Sequence, residues 1–378
     1  MADTHGGRAI DRVEVFVLRH KLDPRTGPSI AYSTYHSHTL VKFTDSDGRA
    51  GWGETYSVPG LPEMLREVGE SLIGRSAGDL KALVRDIRWS LEHPYAVSAL
   101  VIGLEDLRAR QLGVSIAESY GGGGFRTKVR AYAASGGYIE GRDPADTWPD
   151  EVARVRALGF TALKLRLGRE AIGHEAPLLE KMRADLPREF ALMADGNAGY
   201  TFAGAVEMGR VLERLGFLWW EEPIRQRDTY AGFERLAAIL DIALAGGEVL
   251  PNRGEAVEFL ARRAVDIVQP EPVICGGIGE TIWIAELADL HAIAAMPHTS
   301  NSGIGIAAAL QVLAAQPPTT RSIGASPEPF LEFGVDDNPY RSGILATPLE
   351  FNDGWVTIPS GPGLGVEIDE DYVRTHAV

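Results

Sequence analysis

From residue 129 onward, short apolar runs alternate with amphipathic stretches, and nothing else in the chain limits its fold so strongly. VRAYAASGG, TALKLRLG, FALMADGN, FLWWEEP, IALAGGE, VDIVQPE, AIAAMPH and RSIGASP read as strands. Each of the first seven is followed by a helical segment such as AGAVEMGRVLERLG, RGEAVEFLARRA or ETIWIAELADLHA. Strand then helix, repeated at this spacing, predicts βα units and a parallel sheet. About eight units in roughly two hundred residues fit a closed barrel better than an open doubly wound sheet. An open sheet would also be expected to carry a glycine-rich dinucleotide turn after its first strand, and SGGYIEGRD is a poor one.

The preceding residues have another texture. VEVFVLRHKL (13–22) and HTLVKFTDSDGRAGWGET (38–55) predict antiparallel strands with a turn at Asp45–Gly48. Helical patterns follow at 61–73, 78–91 and 94–112, the last apolar on one face. SYGGGGFRTKV (119–129) suits a linker or tight loop; no lysine–serine ending follows to make it a phosphate cradle. The tail, 339–378, turns antiparallel again, with a hairpin-like DG in PLEFNDGWVTIPSGPGLGVEI. Short terminal strands need a partner sheet, so the tail is expected to return to the N-terminal domain.

Thirty-seven Lys and Arg stand against 52 Asp and Glu, a net charge of −15. That argues against nucleic-acid and anionic-membrane partners, which need a basic footprint. A small anionic substrate is still allowed, because a metal or a local cation pair can reverse the field inside one cleft. The single cysteine, Cys275, permits no intramolecular disulfide and reads as packing. With no basic-then-apolar leader and no apolar run of membrane-spanning length, a cytoplasmic setting is expected.

In a parallel barrel the carboxyl ends of the strands open on one face, so what ends each strand is informative. The second run ends in Lys164 and Arg166, the third in Asp195 and Asn197, the fourth in Glu221 and Glu222. The fifth ends in Glu248, the sixth in Glu271 and the seventh in His298, with Glu332 after the eighth. A lone acid at a strand end is commonly a helix cap. Three on consecutive strands, Asp195, Glu221 and Glu248, would repel strongly unless a cation lay among them. An all-oxygen set suits Mg²⁺, with Mn²⁺ as the alternative, rather than zinc. Alternation should turn Glu222 away, toward a structural ion pair. GGIG (276–279) reads as a tight βα turn rather than a phosphate site at a helix start.

The combination K-x-K/R, D-x-N, EEP, GGE, an acid after QP, and the seventh-strand histidine resembles the enolase superfamily in its mandelate racemase/muconate lactonizing branch. The likeness covers nearly the whole chain, including GWGE (51–54) and the PGLGVEI ending. EPFLEFGVDDNPYRSGI and the tail most resemble sugar-acid dehydratase and galactarolactone cycloisomerase-like members. The resemblance implies a (β/α)7β modified TIM barrel at 126–335, capped by an α+β domain made of 1–125 and 336–378. It implies Asp195, Glu221 and Glu248 as metal ligands, Lys164 on the substrate carboxylate, and His298 as a base polarised by Glu271. Glu332 would lie near that carboxylate, and Asn197 would contact ligand or metal water. It also implies homo-oligomers. Among cap residues, His20, Tyr32, Tyr35, His36 and Tyr56 are candidates to line the pocket.

Such a set can abstract a proton α to a carboxylate, since a divalent metal and an ammonium stabilise the dianion that results. The family usually has a second lysine where this chain has Arg166. A guanidinium stays protonated and is a poor base. One competent base argues against racemisation and for loss of a β-substituent, with His298 returning the proton to the departing oxygen. The expected substrate is a small carboxylate, a sugar acid or its lactone, and the reaction a dehydration or a cycloisomerisation. A racemase, or a ligand-binding homologue with impaired catalysis, are the competing readings. Glu271 stands where an aspartate is commoner, so its reach to His298 is open. A merely structural His298 would point into apolar interior.

Overall fold

The computed structural model describes residues 8–122, 126–226, 230–317 and 328–378. An antiparallel sheet begins the chain: β1 (Ile10–Gly27), β2 (Ser33–Asp45) and β3 (Ala50–Tyr56). Phe16, Leu18 and Leu22 of β1 are buried at even spacing, as a half-buried strand requires. Helices α1 (Leu61–Glu70) and α3 (Pro94–Leu112) pack on this sheet, and α2 (Leu80–Ser90) packs on α3. α3 was expected to be apolar on one face. It is buried nearly all round, because β3 and β2 lie against one side while α1, α2 and later helices cover the rest. Gly51 and Gly53 of the GWGE motif explain the close approach. A Cβ at Gly53 would come 2.0 Å from Ala99 O, so only glycine lets α3 lie on the strand.

After the short α4 (Ile116–Ser119), βα units follow: β4 (Lys128–Ala134), β5 (Tyr138–Ile139) and α5 (Pro144–Ala157), then β6 (Ala162–Arg166) and α6 (Ile172–Asp185). They continue with β7 (Ala191–Asp195), α7 (Phe202–Leu215), β8 (Trp219–Glu221), α8 (Ala231–Ala237), β9 (Ala243–Gly246) and α9 (Arg253–Ala261). β10 (Ile267–Val268), α10 (Pro272–Cys275), α11 (Ile278–Leu290), β11 (Ala294–Ala295), α12 (Gly303–Ala315) and β12 (Phe330–Gly334) complete the series. β12, β4 and β6 to β11 form one parallel ladder in that order, and β5 instead joins the edge of the N-terminal sheet beside β1. The fold is mixed α/β. Among the described residues no ladder joins β11 to β12.

These strands are buried on both faces, as parallel strands between two layers must be. Tyr132, Met193, Trp219, Ile267, Met296 and Phe330 form an inner cluster, while Leu163, Leu192, Trp220, Leu244 and Leu331 pack outward with the helices. The last strand of the ladder is Phe330–Gly334; the run RSIGASP, expected as the eighth strand, lies wholly outside the described residues, as does part of the four-glycine run. Glu332 is therefore inside the last strand, not after it. The tail divides. β13 (Phe351–Asn352) and β14 (Trp355–Thr357) form the expected hairpin across Asp353–Gly354, both at positive φ, but it pairs with β4 rather than with the N-terminal sheet. Only beyond it does the chain return, with α13 (Glu370–His376) packed on β1.

Candidate active site

Strand register places three of the chemical side chains in line. Arg166 on β6 is level with Asp195 on β7, which is level with Glu221 on β8. Asp195 and Glu221 are fully buried, and Glu248, two residues past β9, is nearly so. Lys164 Nζ lies 2.5 Å from Glu221 Oε1, 2.9 Å from Glu332 Oε1 and 3.8 Å from Asp195 Oδ2. Arg166 Nη1 donates to Asp195 Oδ2 and, at 2.7 Å, to Asn197 Oδ1. Glu221 Oε2 accepts from Trp219 Nε1 at 3.0 Å and Gln269 Nε2 at 2.7 Å. The anions that the two cations of β6 face are thus the acids on the neighbouring strands.

His298 follows β11 and is buried, yet it points into a polar cluster and not into apolar interior. Its Nδ1 meets Glu271 Oε2 at 2.8 Å, so the longer glutamate does reach. Nε2 lies 3.3 Å from Glu248 Oε2 and 3.7 Å from Glu332 Oε2. Glu271 Oε1 accepts from Tyr56 OH and from Asn301 Nδ2, each at 2.7 Å. Arg166, Asn197, Glu248, Glu271, His298 and Glu332 all border one cavity of about 910 Å³ between the N-terminal sheet and the strand ends.

Charge explains the proton affinities. Burial disfavours the Lys164 ammonium, but Glu221 and Glu332 outweigh it and hold the group charged, well above the usual lysine range. His298 behaves alike: burial opposes its charge, while Glu248, Glu332 and Glu271 raise it well above an ordinary histidine. Asp195 is pushed up to about 7, by burial first and then, against the pull of Arg166, by Glu221 and Glu248. Glu332 goes to about 2 despite burial, because Lys164, His298 and Arg166 surround it.

Three carboxylates from adjacent strand ends suit Mg²⁺, and buried Glu248 Oε2 makes no hydrogen bond. As the side chains stand, no group of His, Cys, Asp or Glu among the described residues is closed round one point; Lys164 and Arg166 engage the acids instead. Donor chemistry fits the ion: Glu248 Oε2 is free to bind it, and on Glu221, Oε1 meets only Lys164 among the described residues while Oε2 already accepts two bonds.

The remaining candidates scatter. Tyr35 and His36 border the cavity. His20 and Tyr32 do not: His20 Nε2 is 3.1 Å from Asp337, and Tyr32 lies under the Arg169 guanidinium at 3.9 Å. Glu222 does not turn away to an ion pair. β8 stops at Glu221, Glu222 takes a φ of +36°, and alternation no longer applies. Burial and then Glu248, Asp195 and Glu221 push its carboxyl well up. Cys275 is buried against Thr281, its thiol pushed up to about 12 by burial. At GGIG, the Ile278 and Gly279 amides donate to the Glu105 carboxylate at 2.8 Å each, so the helix start already has its anion. Asn301 and Gln269 carry no sequence signal beyond the HTSN and VQP spacings.

The family described as Enolase C-terminal domain-like matches residues 148–372. A D-galactarolactone cycloisomerase from Agrobacterium fabrum is 35% identical over 374 residues, which is 96% of this chain and 97% of that protein. The structure of a 3,6-anhydro-D-galactonate cycloisomerase from Zobellia galactanivorans superposes with a TM-score of 0.85 at 26% identity, covering 98% and 99% of the two chains. An L-talarate/galactarate dehydratase from Salmonella typhimurium LT2, liganded with Mg and L-lyxarohydroxamate, gives a TM-score of 0.86 at 26% identity, covering 100% and 95%.

Proposed function

This chain belongs to the enolase superfamily and is an enzyme of its dehydratase and cycloisomerase kind, and from there we propose that it removes the proton α to the carboxylate of a sugar acid or sugar-acid lactone and expels the β-oxygen. We take β4 and β6 to β12 to close as a (β/α)7β barrel whose strand ends carry the site. Lys164 and Glu332 lie where the substrate carboxylate would be received, the ammonium favouring the second negative charge as it develops. Nδ1 of His298 is committed to Glu271, so Nε2 is the atom that takes the α-proton, and the imidazolium then returns it to the departing oxygen. A bare hydroxyl leaves as water, giving a 2-keto-3-deoxy acid after tautomerisation. A lactone ring oxygen stays attached, giving ring opening. A Mg²⁺ held by Asp195, Glu221 and Glu248 would supply further stabilisation of that charge and relieve the pull of Glu248 on His298.

The observation that carries this reading is the asymmetry of the site: one imidazole with a carboxylate partner, and at the other candidate position an arginine fixed on Asp195 and Asn197. A guanidinium does not release its proton at ordinary pH, so proton removal on both faces is disfavoured. Aldonates, aldarates and their lactones incubated in D₂O with Mg²⁺ test it. Formation of 2-keto-3-deoxy or ring-opened acids is expected, without deuterium in unreacted substrate of the opposite configuration. Recovered substrate of both configurations carrying deuterium would instead establish a racemase.

A further inference from the structure

One part of the cavity wall, built by α5, β2 and the segment after β12, has no role in the chemistry above. It is rich in charge, and each cation in it is already held by an acid of the same wall. Arg154 donates from Nε to Glu151 Oε2 at 2.8 Å and from Nη2 to Glu151 Oε1 at 2.5 Å, with Val335 O taking a third bond. Arg341 Nη2 lies 2.6 Å from Asp336 Oδ1, and His36 Nε2 lies 2.7 Å from Asp336 Oδ2. Burial would raise the Asp336 carboxyl, but His36 and Arg341 outweigh it and keep it ionised well below the usual range. Asp23 and Asp337 add further negative charge.

We infer that this wall receives an uncharged, hydroxylated end of the substrate, so that the site takes a monoanion, an aldonate or an aldarate lactone, in preference to an aldarate dianion. The inference rests on the preceding reading that the reacting carboxylate sits beside Lys164. A second carboxylate would shed its water, find no unpaired cation among the described residues of this wall, and face Glu151 and Asp336. Hydroxyl groups donate to those same oxygens and accept from the guanidinium edges. Rejection by like charge is a recognised route to specificity.

Calorimetric titration of the His298→Asn protein in Mg²⁺ with galactonate, galactarolactone and galactarate decides the matter. The two monoanions are expected to bind at least about tenfold more tightly than the dianion. Glu151→Gln, which releases Arg154, and Asp337→Asn, at an exposed position, should each narrow that gap by strengthening binding of the dianion alone. Galactarate binding as tightly as the monoanions overturns the inference. So does a gap that neither substitution changes, and so does failure of all three to bind. Wild-type turnover is scored separately: no product from any sugar acid sinks the proposed reaction, while the order of affinities still judges the wall.

Discussion

Glu271 is one methylene longer than an aspartate would be, and three neighbours meet its carboxylate. Oε2 meets His298, while Tyr56 and Asn301 both donate to Oε1. A carboxylate gripped at both oxygens does not swing, so it fixes the imidazole with Nε2 available. Glu271→Gln keeps the shape but loses the charge that supports an imidazolium; kcat is expected to fall by roughly 10²- to 10⁴-fold. Tyr56→Phe removes one grip of two, and a fall in kcat of about tenfold with KM within about twofold is expected. Steady-state kinetics of keto-acid formation checks both, and unchanged kcat in the pair would dismiss the dyad. His298 and the strand-end acids were legible in the sequence, since parallel strands present their carboxyl ends together. The target of Tyr56 was not, because it stands 215 positions away and no local pattern announces such a meeting. Glu222 misled for a related reason: the alternation rule assumes a strand, and the strand had ended one residue earlier.

Whole elements are pinned by buried acids from the N-terminal sheet and its helices. Glu105 of α3 occupies the start of α11, and Glu54 of β3 occupies the start of α12, accepting from Ser302 N at 2.8 Å, Ser302 Oγ at 2.6 Å and Gly305 N at 2.7 Å. Helix N-termini carry unsatisfied amides and partial positive charge, so a carboxylate there does two jobs. Glu54→Ala leaves buried donors without partners and should destabilise the protein by about 3 kcal/mol. The pH dependence has a definite sign. Burial raises the Glu54 carboxyl, but His38, whose Nδ1 is 2.8 Å away, and the Ser302 donors hold it below the ordinary 4.5. A depressed carboxyl stabilises fully above the ordinary range and loses that contribution as pH falls through its own pKa. The difference in melting temperature between wild type and Glu54→Ala is therefore expected to be widest near pH 7 and to shrink below about pH 4. A difference that widens on acidification would contradict the assignment. GWGE was visible in the sequence as a motif, but what its glycines and its acid touch lies on helices far along the chain.

At the scale of the molecule, the repeat of strand and helix gave away the parallel ladder and its order, because each unit is local. The destination of the tail was hidden, since no local pattern says which sheet its hairpin joins, and β14 joined β4. Nor does a net charge of −15 say where the anions gather. The ladder answers that by bringing Asp195, Glu221 and Glu248 to adjacent strand ends, beside Glu222, Glu271 and Glu332. Six buried or nearly buried acids there face two β6 cations and one imidazole, an excess of negative charge that like-charge repulsion makes costly to the folded state. A ligand that binds the folded chain alone stabilises it, by about 2.7 kcal/mol at ~100-fold excess over its Kd. Millimolar Mg²⁺ should accordingly raise the melting temperature of the wild type by a few degrees, and chelation should reverse the rise. Asp195→Asn removes one donor and one of the repelling charges together. It should melt no lower than wild type in chelator and gain little from Mg²⁺. Equal Mg²⁺ shifts in the two proteins would place the ion elsewhere and take the three strand-end acids out of the metal site.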